Sequence, residues 1–578
     1  MRTAVAMVSW VSATAPSRLA FALSLLLVAA CCSRQHPVTS GAQANHAAAR
    51  GTSGASGAKR SRSQPAPASL TAVPHVTLVA LSDWQGVIKP CGCTEELQRG
   101  GVERIAAWLT DLRKQDDSVV LVHAGAALAE DDPPHRGQEQ QRLERAATFS
   151  TILATLNVAA VALSSEDLSR AGVGTLVESG AWPVVSAGWT GGIKRVVAHR
   201  IVTTGSGLKV GIFGLDPKAG DLARAKALAT EQVALLRGQG VQIVVALSNL
   251  GMRDSRRVAR AVQGLDAVVL GRVPPKTEPV LEGEQDGDAW MLMAPRHGAY
   301  MATLTLAVNG AESLKDAGPW QDATAWLPGA VQGLTQRIAA LEADLKRYRG
   351  PGQTVATRRA LPFFERQLQE LTRARDRAAT AQGRPLPTGR VAGYASVGLA
   401  WSRPTDPAVV ALVKAYDAKV GAMNAKLAKD PVPALAGQAT YLGEAVCTSC
   451  HQGPLRWAQH DKHHDAWETL EKAGKTFDLD CVPCHVTGWQ EPGGSAFGNL
   501  DRFARVQCEA CHGPGSMHLA AAVKKGPKSG IMRQPGAAVC QKCHTPEHAP
   551  RFLFRDYAPR LSAPGHGLAD VPPPAKAK

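Results

Sequence analysis

Four times in the last quarter of this 578-residue chain, two cysteines stand three apart with a histidine directly after the second. The units are Cys447-Thr-Ser-Cys450-His451, Cys481-Val-Pro-Cys484-His485, Cys508-Glu-Ala-Cys511-His512 and Cys540-Gln-Lys-Cys543-His544. Such a unit can hold a haem covalently. Its two thiols add across the vinyl groups, and the adjacent imidazole reaches the iron as proximal ligand. Cysteine pairs also build zinc sites and disulfides, but neither gives a reason for a histidine after every second cysteine. The expectation is therefore four covalently bound c-type haems. The units follow one another too closely for a separate protein core around each. The porphyrins must themselves form the core and lie near one another, which is the arrangement that rapid electron transfer needs. Sixth ligands must come from other histidines, and His460, His463, His464, His518, His548 and His566 are available.

The remaining four of the twelve cysteines form two small groups. Cys91 and Cys93 flank one glycine. They could form a strained bridge, join His123 as a metal or redox pair, or stay as reduced thiols. Cys31 and Cys32 end an apolar run, Leu19 to Ala30, that follows Arg2 and Arg18. The run suits an export signal and is too short to span a bilayer comfortably. Val28-Ala29-Ala30-Cys31 resembles a bacterial lipobox, which makes Cys31 a candidate lipid anchor; a plain secretory signal is the alternative. Either way the chain is expected outside the cytoplasm, on the periplasmic side of a bacterial envelope and anchored at the outer membrane.

These residues need elements to position them. Residues 31–74, rich in Ala, Ser, Gly and Gln, lack the apolar content to fold and read as a disordered tether. Over 75–310, short β-branched runs such as Val76–Leu81, Val119–His123, Val158–Leu163, Val184–Ala187, Val210–Leu215 and Val241–Ser248 alternate with helical stretches such as Val102–Lys114 and Leu222–Arg237. That alternation predicts an α/β layered domain. Over 330–383, Leu334, Ile338, Leu341 and Leu345, then Phe364, Leu368 and Leu371, recur at helical spacing on either side of Gly350-Pro351-Gly352. They predict an α-helical hairpin, a spacer or homodimer contact. Residues 384–436 read as a linker carrying one helix, Pro407–Leu427. Residues 437–568 form the multihaem segment, mostly α and irregular, and 569–578 a tail.

The formal net charge of +16 raises nucleic acid as a partner. The excess is uneven, however: between Leu334 and Arg390 twelve basic residues face five acidic ones. A solvated helix face accounts for that stretch, no nucleic-acid motif is present, and no nucleic-acid partner is expected.

Two resemblances add to this reading. The run from His463-His-Asp-Ala466 through Cys481-Val-Pro-Cys-His-Val-Thr-Gly488 and Cys508-Glu-Ala-Cys-His-Gly-Pro-Gly-Ser-Met-His518 to Cys540-Gln-Lys-Cys-His-Thr545 resembles the tetrahaem cytochromes typified by the electron acceptor of hydroxylamine oxidoreductase. The resemblance implies three bis-histidine haems and one five-coordinate haem. By motif position His463 and His518 are distal ligands and His566 is a third candidate, whereas His548 is not expected to be one. Asp83-Trp-Gln85-Gly86, Gly100-Gly101-Val-Glu-Arg104, Val122-His-Ala-Gly125, Val210-Gly-Ile-Phe-Gly-Leu215 and Leu265-Asp-Ala-Val-Val-Leu-Gly271 resemble calcineurin-like metallophosphoesterases of the 5′-nucleotidase type. Their two-metal chemistry needs a bridging Asp and further Asp, Asn and His ligands. Here Asp83 remains, Gln85 stands in place of a His, Ala126 in place of the bridging Asp, and Ser164-Ser165-Glu166 in place of Gly-Asn-His/Glu. Asn249 and Arg272 sit where later histidines are usual. Alanine cannot bind a metal and arginine repels one, so the fold is expected without hydrolysis.

The leading expectation is an electron carrier, with no catalytic residues, between redox protein partners of the cell envelope. Its rivals are a haem enzyme acting on a small nitrogen or sulfur compound, and an active phosphoesterase.

Overall fold

A computed structural model describes the chain from residue 69 to 561, apart from 91–99, 131–136, 217–220, 273–282, 295–297, 299, 311–317, 350–354, 428, 460, 524–529, 546–548, 550, 551 and 553. The signal and tether with Cys31, the Cys91–Cys93 pair, Gly350-Pro351-Gly352, His460, His548 and His566 lie outside the described residues.

Two sheets form the larger part. The strands are β1 (His75–Ser82), β2 (Val119–Gly125), β3 (Ala160–Leu163), β4 (Val184–Val185), β5 (Val196–Val197), β6 (His199–Thr203) and β7 (Lys209–Leu215). They continue with β8 (Ile243–Ser248), β9 (Ala267–Leu270), β10 (Glu284–Asp286), β11 (Ala289–Leu292), β12 (Tyr300–Asn309), β13 (Gln321–Asp322) and β14 (Gly389–Gly398). One sheet runs β13-β14-β12-β1-β2-β3-β4-β5 and the other β10-β11-β9-β8-β7-β6. Along β1, Val76, Leu78 and Ala80 point into the core shared by the two sheets, while Val79 and Leu81 point outward. Both faces are buried, so the strand reads as a continuous apolar run.

Helices cover the outer faces. On the first sheet lie α1 (Val102–Gln115), α2 (Glu139–Thr155), the short α3 (Ser165–Ser169) and α4 (Val173–Ser179). On the second lie α5 (Leu222–Gly238) and α6 (Met252–Ala261). The result is a four-layered α/β/β/α body. The helical hairpin is α7 (Ala330–Arg349) and α8 (Val355–Ala381), with Ile338, Leu345, Leu371 and Ala378 buried and Arg349 paired with Glu365 at 2.6 Å.

The segment read as a linker is part of this body. β14 pairs antiparallel with β12 along its whole length, from Tyr300↔Gly398 to Asn309↔Gly389. Helix α9 (Pro407–Asn424) buries Val409, Tyr416 and Val420 in the core of α1 and α2. The hairpin is thus an insertion between neighbouring strands. Asp266 ties the layers together. It is fully buried and accepts from Val244 N (2.7 Å), Arg237 Nη2 (2.6 Å), Trp320 Nε1 (3.2 Å) and Arg390.

A buried pair at the start of β1 makes stability pH-dependent. His75 Nε2 lies 3.0 Å from Asp116 Oδ1. Burial alone would lower the His75 pKa, but the bonds to Asp116 and to the Val73 carbonyl outweigh it and raise the value. Burial would likewise raise Asp116, and the bonds from His75, Thr77 and Ser118 leave it lowered. The histidine contribution is full below its unfolded pKa of about 6.5 and is lost as pH rises through the folded value. The aspartate contribution is present above its unfolded pKa of about 3.9 and is lost as pH falls through the folded value. Thermal midpoints of wild type minus His75→Gln should therefore peak between about pH 4 and 6.5; a difference independent of pH would contradict this.

Candidate haem-binding site

The C-terminal region is built from short helices: α10 (Glu444–Cys447), α11 (Gln452–Ala458), α12 (Ala466–Ala473), α13 (Val482–His485), α14 (Leu500–Phe503), α15 (Cys508–His512), α16 (Ser516–Val523), α17 (Ala537–Cys540) and α18 (Phe554–Leu561). Its apolar cluster is small, with Leu470, Val482 and Val486 buried and Trp467, Trp489, Phe497 and Leu500 against them. Each Cys-x-x-Cys-His unit lies on a helical turn or at the end of one. In the first, Cys450 N and His451 N both donate to the Cys447 carbonyl, at 3.2 and 3.0 Å. In the fourth, Cys543 N and His544 N do the same to Cys540, at 3.2 and 2.9 Å. A turn puts residues three apart on one side, so both thiols of a unit face the same way. All eight thiols are free of disulfides.

Buried polar side chains bring the units together. Glu509, inside the third unit, accepts from Leu442 N (3.0 Å), Gly443 N (2.7 Å) and Gly515 N (2.7 Å), which docks the first unit's helix on the third. Val506 N donates to the His463 carbonyl at 3.2 Å. Thiols of different units become neighbours. Cys447 is hydrogen-bonded with Cys508, which raises the first and lowers the second. Cys543 is brought down to about 7, chiefly by its bond with Cys484. Cys511 is pushed up to about 11 by burial and then by Cys540 and Cys543.

The histidines fall into a pattern. The ring centroids of His451 and His518 are 6.4 Å apart and those of His463 and His544 are 6.0 Å apart. Two imidazoles sharing one metal through bonds of about 2 Å place their centroids roughly 6 Å apart, so both pairs fit an iron between them. His485 Nδ1 lies 2.6 Å from the Ala466 carbonyl, His512 Nδ1 2.7 Å from the Met532 carbonyl, and His463 Nδ1 2.6 Å from Asp461 Oδ1. These oxygens only accept, so Nδ1 carries the proton and the neutral ring keeps its lone pair on Nε2. That is how ligating histidines are oriented by the groups behind them. His464 Nδ1 lies 3.5 Å from Asp465 Oδ1. Sequence reasoning singled out the histidines but missed Asp461, although its place two residues before His463 was visible.

A second cluster, also missed, joins the two regions just before the second unit. Arg145 Nη1 meets Asp480 Oδ2 at 2.7 Å, and Gln138 Nε2 donates to Asp480 Oδ1 at 2.8 Å. Gln141 Nε2 donates to Asp478 Oδ1 at 2.7 Å, and its own oxygen accepts from Leu479 N at 3.0 Å. Asn424 Nδ2 donates to Gln141 Oε1 and to the Phe477 carbonyl, both at 2.7 Å. Lys89 meets Asp478, and meets Asp417 at 3.2 Å.

At the strand ends near Ala126 and Asn249, polar side chains brace the backbone. Asn249 Oδ1 accepts from Gly125 N at 2.7 Å, and its amide donates to the Leu163 carbonyl at 2.7 Å. A Cβ on Gly125 would lie 2.0 Å from the Gly271 carbonyl oxygen, so the two sheets' ends touch backbone to backbone. Asp167 accepts from the amides of Ala127, Leu128 and Ala129 at 2.7 to 2.8 Å, pinning the loop that carries Ala126. Asp83 and Gln85 are buried side by side, with 3.3 Å between Gln85 Nε2 and Asp83 Oδ1. Burial, with Asp167 nearby, pushes Asp216 up to about 7. His123 is fully buried, neither ring nitrogen has a hydrogen-bond partner among the described residues, and burial pushes its pKa down to about 3. Among the described residues no three His, Cys, Asp or Glu side chains group as metal ligands.

Fold and site together define a multidomain chain: a mixed-sheet α/β region followed by a helical region that carries the four Cys-x-x-Cys-His units and matches a cytochrome c family. Residues 446–513 match the family model described as cytochrome c554 and c-prime. Cytochrome c-554 of Nitrosomonas europaea is 33% identical over 97 aligned residues, with a coverage of 14% of this chain and 41% of that protein. The chain thus spans about two-fifths of the curated relative it matches. Among solved structures, the 5′-nucleotidase precursor from Thermus thermophilus is 16% identical with a TM-score of 0.39, covering 74% of this chain and 73% of that one. The NAD nucleotidase of Haemophilus influenzae is 18% identical with a TM-score of 0.35, covering 51% and 60%.

Proposed function

We propose that this chain is an exported tetrahaem cytochrome that carries electrons between redox partners of the cell envelope. The observation that carries the reading is the convergence of four Cys-x-x-Cys-His turns, with two histidine pairs at the spacing of a shared metal. When bound, each haem supplies one-electron redox chemistry. The chain's own residues attach it through Cys447 and Cys450, Cys481 and Cys484, Cys508 and Cys511, and Cys540 and Cys543. His451, His485, His512 and His544 would hold the irons as proximal ligands. His518, near His451, and His463, near His544, would be distal ligands, with His566 a further candidate. His485, His512 and His463 are held by their Nδ1 bonds.

The reading includes Cys31 as lipid anchor, the periplasmic face of the outer membrane as location, and the hairpin as a homodimer contact. No helix among the described residues is long and apolar enough to cross a membrane. The α/β region is assigned no hydrolysis, because Ala126 offers no donor and both ends of the Asn249 amide are bonded to backbone.

The test is the full chain produced in a host that matures c-type cytochromes. Pyridine haemochrome and intact mass should both give four haems per polypeptide, and phosphate-ester hydrolysis with added Mn²⁺ or Zn²⁺ should stay at background. A bare-peptide mass would overturn the first assignment, and metal-dependent hydrolysis the second.

A further inference from the structure

The second haem unit is reached through a stretch that the α/β body grips directly. Asp478 and Asp480 precede Cys481, and Cys481 N donates to the Asp478 carbonyl at 2.9 Å, so the two carboxylates lie at the start of the turn that carries the thiols. Both are taken up by the other region. Gln141 and Lys89 hold Asp478, while Arg145 and Gln138 hold Asp480. Lys89 also reaches Asp417 and sits 5.3 Å above the ring of Tyr416, both on α9. Its charge and Cys481 act on each other, as do Cys481 and the nearby Lys475.

A half-buried ammonium with two carboxylate partners is a fixed charge in a low-dielectric setting. There a unit charge acts over longer distances than it does in water. Iron loses one positive charge on reduction, so a nearby cation favours the reduced state and a nearby anion the oxidised one. Burial and local charge are among the means by which a protein sets a haem potential.

We propose that Lys89 of the α/β body is a positioning residue for the haem attached at Cys481 and Cys484, and that with Asp478 it sets that haem's midpoint potential. The inference rests on the tetrahaem reading. On this view the phosphoesterase-like region supplies part of one haem's electrostatic surroundings. Removing the ammonium leaves Asp478 without its ion-pair partner, while Asp417 keeps Lys475 at 2.9 Å, and lowers the potential of that one centre. Removing the Asp478 charge raises it.

The test is a spectroelectrochemical titration of the full-length holoprotein, with a haemochrome count on every variant. In Lys89→Met, one of the four components should move to lower potential, changing its reduced-to-oxidised ratio about tenfold at fixed ambient potential. Asp478→Asn should move the same component upward, the double variant should return it towards wild type, and Lys89→Arg should leave it in place. The proposal is overturned if no component moves or if all four move together. If Lys89→Met does not yield holoprotein, Asp478→Asn decides: an upward shift of one component supports the proposal and an unchanged titration overturns it. A wild-type count below four would instead strike at the tetrahaem reading.

Discussion

In a His518→Ala variant, one low-spin haem should become high-spin, and the reduced protein should gain a site for carbon monoxide. His518 faces His451 with 6.4 Å between ring centroids, the separation expected of two imidazoles on one iron. Removing one leaves that iron with an open position, while attachment through Cys447 and Cys450 is untouched. His463→Ala should do the same for the haem held by His544, whose ring lies 6.0 Å from that of His463. His464→Ala, next in sequence, should leave the spin states unchanged. Electron paramagnetic resonance gives the spin count, and carbon monoxide difference spectra give the open sites. Wild-type spectra retained in both His518→Ala and His463→Ala would exclude these pairings. Carbon monoxide bound by the wild type itself would mark the five-coordinate haem that the resemblance implies.

Asp266→Ala should be among the most destabilising single changes in the α/β body, costing about 3–5 kcal/mol, because removing one member of a buried charge network leaves its partners uncompensated. The carboxylate is fully buried between the guanidinium groups of Arg237 and Arg390. Burial already lowers the pKa of Arg390, whose guanidinium lies 4.3 Å from the centre of the Trp320 ring. The change also takes an acceptor away from Val244 N and Trp320 Nε1. Asp266→Asn keeps an acceptor for Val244 N and should cost less. Denaturant unfolding followed by far-ultraviolet circular dichroism measures both, and a loss below about 1 kcal/mol for Asp266→Ala would show that the arginines repartner.

What could be read in the sequence tracks the range of the interactions. A haem-attachment unit is five residues long, so its whole chemistry is written in consecutive letters. The helical turns that the structure shows at Cys447–His451 and Cys540–His544 need nothing from elsewhere. The strands of the α/β body were legible because burial on both faces leaves apolar runs with little interruption. β14 escaped because Gly389, Gly393 and Gly398 dilute its pattern and its partner β12 lies on the far side of the hairpin. The acidic grip on the second haem unit escaped for a stronger version of the same reason: Lys89 and Asp478 are 389 positions apart, and nothing near either one announces the other. The touching of the sheet ends at Gly125 and Gly271 likewise arises only when the two sheets stack.

The late arrival of β14 has a bearing on biogenesis. The strand beside β12 is completed only at residue 398, after the whole hairpin insertion. The large sheet therefore depends on pairings distant along the chain, and such topologies form slowly. Until that sheet and α9 are in place, Lys89, Gln141 and Asn424 cannot hold the stretch ahead of Cys481. That stretch is therefore fixed late, and by residues that lie far before it in the chain.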